Sequence, residues 1–452
     1  PYENRATAHP HKQARLAPTG LPYSPERAPR MPETTALPEQ RDEASNVVDL
    51  TDAAAEKAAQ QRAQIIAMTD TGNAEVFARA HHDRVRYEPD SKSWYVWNGY
   101  YWAKGGKAAH LAARYATEQA ANLPANNGAE ESWRKQSLSN RGINNTLAVA
   151  MSHELILVEA DQFDADPYSL NTPGGIVNLR TGEMRASNPA ELHSRSTAVT
   201  PNAELPTPEW DAFLHRTFGG DRELINYLQV LVGLFLIGTV LEPVLPLLYG
   251  RGRNGKTTLT GVLLGILGIG DSGYAVQAEP KLLTSKDSHP TGVAALQGAR
   301  LAACSELAGN ESFNEPLLKM LTGADLITAR KMRQDFITFS PTASLVLASN
   351  DRPDIENGGP ALWSRVQEFP FNHVVPDGEQ VKGLKEILIS EEGPGILAWA
   401  IEGSKNYLQV GALNPPASVV AATQDYQRST DPLQQFVEEE CTLGTPGVSG
   451  NS

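Results

Sequence analysis

The stretch LPLLYGRGRNGKTTLTGVLLGILG, Leu245 to Gly268, constrains this chain more than any other. It sets Gly250, Gly255, Lys256 and Thr257 in the spacing GxxxxGK[ST], directly after an apolar strand and directly before an amphipathic helix. Gly250, Gly252 and Gly255 let backbone amides wrap around phosphate oxygens, and the following helix turns its positive dipole end to the same point. Lys256 is expected to reach the β- and γ-phosphates of a nucleotide, and Thr257 to ligate Mg2+. Asn254 and Thr258 complete the expected phosphate site, so the cofactors expected are ATP and Mg2+. After Pro243 short buried strands alternate with helices, the texture of an α/β nucleotide-binding fold.

A phosphate loop leaves kinases, GTPases and motors open, so the polar residues that end later strands matter. In ARLAACSELAG, Leu301 to Cys304 can cross a sheet and deliver Ser305 and Glu306 at its C-terminal edge, where ligands of open α/β sheets bind. Glu306 is the candidate to polarise the attacking water and support the metal; an exposed glutamate at a strand end is the plainer alternative. Cys304 then reads as a buried strand residue. SLVLASN ends at Asn350, placed to hold a γ-phosphate or a water in line, although asparagine there is also a turn former. In NGGPALWSRVQEFPF, Arg365 stands just before another strand, either as an arginine finger for a neighbouring subunit or as a partner in a structural ion pair.

LTGADLITARKMRQDFITF, Leu321 to Phe339, packs Arg330, Lys331 and Arg333 into four positions between two alternating apolar and polar stretches. Leu326 to Arg330 and Asp335 to Phe339 read as the arms of a β-hairpin with KMRQ near its tip. The formal net charge is −14, which argues against a surface that coats nucleic acid everywhere but leaves room for a local basic channel. A solvated basic tip is the bland alternative.

The 452 residues, 40% hydrophobic and 20% charged, have ordinary globular composition and room for two or three packed domains. Cys304 and Cys441 lack CxxC spacing, so neither a disulfide scaffold nor a thiolate zinc site is supported, and a reducing cytoplasm is expected. His81, His82 and Asp83 have no second cluster at ligand spacing. The longest apolar run, Val230 to Leu241, is too short to span a bilayer, and no membrane association is expected. Residues 1–60, rich in Pro, Ala, Glu and Arg, read as a linker or tail, and the absence of an opening Met leaves an upstream domain as an expectation. The Ala-rich DAAAEKAAQQRAQIIAM leads into an α+β domain over 61–205. Within it, RVRYEPDSKSWYVWNGYYWAK reads as a β-meander whose aromatics form core rather than a base-stacking surface. Helical stretches from about Lys107 to Glu159 and the turn, strand, turn pattern of LNTPGGIVNLRTGEM follow. A helical segment at 206–243, a core at 244–372, a helical segment at 373–436 and a flexible terminus at 437–452 complete the expected order, with no internal repeat.

Taken in order, the phosphate loop, RLAACSE, LKMLTGADLITARKM, SLVLASN and ALWSRVQEFPF resemble the superfamily 3 helicases, specifically the phage and plasmid primase-helicases of the poxvirus-like type. SLNTPGGIVNLRTGEM, LINYLQVLVGLFLIG and GILAWAIEG extend the resemblance to roughly Phe77 to Phe436. It implies an AAA+-like P-loop ATPase core with a mixed α+β N-terminal domain and helical flanks, assembled as a ring, usually a hexamer, that translocates along DNA. By position it makes Lys256 and Thr257 the Walker A pair, Glu306 the Walker B acid, Asn350 the sensor and Arg365 the finger from the next subunit. The hairpin of the resembled helicases projects into the central channel, which implies DNA phosphate contacts for Lys331 and Arg333, sequence-independent and salt-sensitive, and a DNA or interface role for Arg330. Two positions depart from the pattern: Ser305 precedes Glu306 where many relatives have a second acid, and Gly323-Ala324 replaces paired glycines before Asp325.

The function implied is an ATP-dependent replicative DNA helicase of phage, prophage or plasmid type, working in the bacterial cytoplasm with DNA, further copies of itself and a primase domain or other replication proteins. Two rivals remain. Asp164 and Asp166 in FDADPYSL have a DxD spacing suited to two metals, as a primase would need, though no further acid or basic phosphate clamp lies nearby. The other is a ring that binds ATP only to assemble on an origin.

Overall fold

The computed structural model describes residues 68–284, 290–305, 312–330, 335–355, 359–376, 378 and 380–430. The expected tail at 1–60, most of the Ala-rich helix before Met68, Glu306, Lys331, Arg333 and the terminus at 437–452 lie outside the described residues.

Alanines at a spacing of four organise the first core. In helix α2 (Gly106–Ala121), Ala108, Ala112, Ala116 and Ala120 are all buried and form one small-residue stripe. That stripe lets α2 sit close to α1 (Asp70–His81) and α4 (Asn140–Ala150), with α3 (Gly128–Ser137) between α2 and α4 in the chain. The helix starts follow local chemistry: Thr69, Asn127 and Ser139 each accept backbone N–H bonds at the first turn of α1, α3 and α4. Strands β1 (Val85–Glu88), β2 (Ser93–Trp97) and β3 (Trp102–Lys104) form the expected antiparallel meander, and Trp94, Tyr95 and Trp102 are buried in it.

A second antiparallel sheet, β4 (Ser169–Thr172), β5 (Gly175–Asn178) and β6 (Met184–Arg185), buries Leu170 and Val177 in the central core rather than in the first one. Arg300 fixes this junction. Its guanidinium, 2% exposed, donates to Leu236 O at 2.5 Å and Ser169 O at 2.6 Å and lies 4.4 Å from the Tyr274 ring. Arg195 adds bonds to Gly273 O and Gln297 O, both at 2.6 Å.

The central element is a five-stranded parallel sheet in the order β13-β7-β12-β9-β8. Its strands are β7 (Leu245–Tyr249), β8 (Ala275–Ala278), β9 (Leu301–Ser305), β12 (Ser344–Ser349) and β13 (Val366–Pro370). Successive side chains alternate between two cores: Leu248, Ala303 and Val346 enter one, Leu247, Cys304 and Leu347 the other. The core that takes Leu248, the central one, is closed by α5 (Pro208–Thr217), α6 (Arg222–Leu234) and α7 (Lys256–Leu267), and by α12 (Leu384–Ser390) and α13 (Gly393–Val410) further along the chain. Helices α6 and α13 cross at glycines, where a Cβ on Gly233 or Gly403 would run into the partner backbone, and Ser404 Oγ donates to Gly233 O at 2.7 Å. Short helices α8 (Lys281–Thr284), α9 (Pro290–Ala294), α10 (Glu315–Leu321) and α11 (Pro360–Trp363) lie between the later strands, and α14 (Ala417–Ser429) covers β13.

The alternation from Leu321 to Phe339 does build a hairpin. β10 (Ile327–Arg330) pairs antiparallel with β11 (Phe336–Phe339) and sets Arg330 opposite Phe336. Ile327, Ala329 and Phe339 root it in the second core, while Leu326 and Phe336 are each 66% exposed.

Candidate active site

Parallel strands end on one edge, so Tyr249, Ser305, Ser349 and Pro370 share the C-terminal rim of the sheet. The loop 250–255 leaves that rim and enters α7. Three residues in it adopt left-handed backbone: Gly252 at φ +66°, Arg253 at +51° and Gly255 at +87°. Glycine removes the penalty at the first and third, whereas Arg253 bears it. The segment after β13 laces the loop down. Asn254, 2% exposed, donates from Nδ2 to Phe371 O at 2.9 Å, Phe371 N donates to Tyr249 O at 2.7 Å, and Val375 N donates to Arg253 O at 3.0 Å. A Cβ on Gly250 would collide with Phe371 O and Asn254 Nδ2, so no other residue fits there.

Lys256 is the charged centre. It is 5% exposed, and its ammonium donates to Gly250 O at 2.5 Å, Asn254 Oδ1 at 2.8 Å and Asn350 Oδ1 at 3.0 Å. Burial pulls its pKa below the usual lysine range. Residues 94 apart in sequence thus meet because β12 lies directly beside β7. Thr257 is exposed and Thr258 half-buried on the first turn of α7. The glycine cradle, the buried lysine and the free face of Thr257 suit a phosphate chain carrying a divalent cation. Ser305 ends β9 and accepts from Gln277 Nε2 at 3.2 Å; the glutamate that follows it lies outside the described residues. Burial pushes the Cys304 thiol up to about 12, which suits a strand residue and not a nucleophile.

Arg365 does not join this group within one chain. It precedes β13 at the N-terminal rim, opposite the loop, and donates to Thr322 Oγ1 at 3.2 Å and Ala361 O at 2.7 Å. Arg330 is exposed, with its guanidinium 5.1 Å from the Phe336 ring. Asp164 and Asp166 have structural partners: Asp164 accepts from Ser194 N, 30 residues along the chain, at 3.1 Å, and Asp166 closes a turn by accepting from Tyr168 N at 3.0 Å and Ser169 Oγ at 2.6 Å. Among the described residues no group of three or more His, Cys, Asp or Glu is arranged to hold a metal.

Sequence reasoning missed Arg352, two residues past Asn350. It makes a bidentate pair with Glu368 at 2.7 and 2.8 Å, reaches Asp425 at 2.9 Å and lies 4.8 Å from the ring of Tyr249, the last residue of β7. Burial works against its charge, but the bonds to Glu368 and Asp425 outweigh burial and push its pKa up. Burial raises the Glu368 carboxyl, yet the forked geometry keeps the pair ionic. The only sequence signal was a cation immediately after a buried strand. Phe336 was missed too, as an aromatic on an alternating arm that turned out to face solvent.

Comparison with known proteins follows the same division. Residues 74–219 match the family described as D5 N terminal like, and residues 248–361 match a family of unknown function, DUF5906. A protein of Acanthamoeba polyphaga mimivirus named "Putative helicase" is 24% identical over 297 residues, 61% of this chain and 30% of that protein. A "Putative helicase" of Invertebrate iridescent virus 6 is 25% identical over 237 residues, 50% of this chain and 24% of that one. A "Putative primase" of African swine fever virus is 25% identical over 307 residues, 61% and 31% of the two. The chain spans about a third or less of the length of these relatives. The apo structure of the NrS-1 C terminal region aligns with a TM-score of 0.48 and 11% identity, covering 79% of each chain. The fold defines a mixed α/β protein built on a parallel sheet with flanking helices. These matches fit a phage or viral primase-helicase family.

Proposed function

We propose that the chain is the helicase part of a replicative primase-helicase, a P-loop ATPase that couples ATP hydrolysis to movement on DNA as a homo-oligomeric ring, with six copies the expected number. The observation that carries this reading is the meeting of Lys256 with Asn350 across adjacent strands at the mouth of a glycine loop. A lysine in that place neutralises phosphate charge as it develops, and an amide beside it senses the terminal phosphate or orients a water. Loop amides and Asn254 hold the phosphate chain, with Thr257 and Glu306 assigned to Mg2+, which supplies further positive charge to the phosphates. Glu306 is assigned to the attacking water. Arg365 serves the neighbouring subunit, and Arg330 at the end of β10, with Lys331 and Arg333 that follow it in sequence, serves DNA. The names of the viral relatives and the exposed, rooted hairpin support the DNA assignment. No helix among the described residues is long and apolar enough to cross a membrane, and the host cytoplasm is the proposed setting.

The test is strand displacement on forks with 3′ or 5′ tails, run beside ATP hydrolysis and mass measurement with and without nucleotide. The wild type should assemble, hydrolyse ATP faster with DNA and unwind one polarity. Lys256→Ala should lose at least about a hundredfold in hydrolysis, the usual scale for a preorganised charge. A monomer whose hydrolysis ignores DNA overturns the reading.

A further inference from the structure

The last residue of α5, Thr217, presents a chemical anomaly next to the glycine loop. It is 1% exposed and its Oγ1 has no hydrogen-bond partner among the described residues. Three other buried hydroxyls find carbonyls: Thr260 bonds Lys256 O at 3.1 Å, Thr322 bonds Leu318 O at 2.7 Å and Ser404 bonds Gly233 O at 2.7 Å; Ser418 Oγ, on α14, also has no partner among the described residues. Native proteins seldom leave such a group unpaired, and those that do call for an explanation.

Its position supplies one. A Cβ built on Gly255 would lie 2.9 Å from Thr217 Oγ1 and 2.9 Å from the Phe213 ring, so the last turn of α5 rests directly on the turn that leads into the N-terminus of α7. The helix holding the hydroxyl there is itself fixed. The Glu392 carboxylate accepts Glu209 N at 2.9 Å and Trp210 N at 2.8 Å at its first turn, and Trp210, fully buried, packs edge-on to Trp399. A rigid helix thus sets an unpaired hydroxyl against the turn at Gly255, in a loop whose other groups suit phosphate.

We infer that Thr217 is a further nucleotide-binding residue: its hydroxyl donates a hydrogen bond to a phosphate oxygen of the nucleoside triphosphate held on loop 250–255. This rests on the ATPase reading above and adds to it a contact from outside the loop motif. Thr217 lies at the far end of α5 from the capped turn, so the nucleotide is gripped by the loop on one side and by the helix before the sheet on the other.

The test is calorimetric titration of ATP into the full chain as wild type, Thr217→Val and Thr217→Ser, with thermal melts of the same proteins without ATP. Valine keeps the shape and removes the donor. Thr217→Val should bind ATP about tenfold more weakly, the worth of a hydrogen bond to a charged acceptor. Its melting temperature without ATP should be equal to or above that of wild type, because an unpaired buried hydroxyl has been removed. Thr217→Ser should bind within about twofold of wild type. Equal ATP binding by wild type and Thr217→Val overturns the inference and leaves the ATPase reading standing. So does a loss shared by valine and serine variants with lowered melting temperatures, the mark of a packing role. A wild type that does not bind ATP overturns both.

Discussion

Lys256 carries its positive charge among neutral oxygens from Gly250, Asn254 and Asn350. Since burial lowers its folded pKa, the unfolded chain binds that proton more readily, and the stability deficit it causes shrinks as pH rises through the folded pKa toward the ordinary lysine range. Measured by urea unfolding, the wild type should therefore gain on Lys256→Met as pH is raised toward the ordinary lysine pKa of about 10.4; a gap that does not change over that approach refutes this. The residue stood out in the sequence because the glycine-rich spacing around it is a contiguous pattern. Asn350 was legible as the end of an apolar strand. Arg352 and Thr217 were not, for a physical reason: the significance of each lies in partners far along the chain, Glu368 and Asp425 for one and Gly255 for the other, and no local period encodes those meetings.

Among the elements, α5 has the most to do for its length. Its first turn is held by Glu392 from the start of α13, and its last turn meets Gly255. Removing the cap with Glu392→Ala frees two backbone donors and should cost about 2 kcal/mol in denaturant unfolding. ATP binding should weaken as well, by about threefold or more, since a loosened α5 no longer bears on the loop. Unchanged affinity in a destabilised protein would separate the helix from the site. Short-range features of this kind were readable in part. The alternating hairpin arms and the apolar strands follow from local propensity and period, and the described residues contain them where expected; the caps at Thr69, Asn127 and Ser139 were not read from the sequence. The sheet order was not readable, because which strand lies beside β7 depends on two-sided burial that every one of these apolar strands satisfies equally.

At the scale of the whole molecule, the loop and Arg365 sit on opposite rims of one sheet. Arg365 cannot reach its own chain's loop without leaving β13, so any catalytic role belongs to an adjacent copy. Mixing Lys256→Ala with Arg365→Ala subunits tests this, since an intact loop of one can meet the arginine of the other. Equal, random mixing should restore hydrolysis to about a quarter of wild type, as one interface in four then has both groups. Two inactive variants that stay inactive when mixed would leave Arg365 to its bonds with Thr322 and Ala361.

The place of β7 in the sheet also has a consequence in time. β7 ends at Tyr249, yet its two neighbours start only at Ser344 and Val366. During synthesis, Leu245 to Tyr249 leaves the ribosome with both edges open and waits on the order of ten seconds for either to be covered. An apolar strand in that condition is a site for chaperone capture or for pairing with another nascent chain. The order in which the chain is written differs from the order in which its sheet closes: Gly250 leans on Phe371, so the loop 250–255 takes its shape only after translation has passed Pro370.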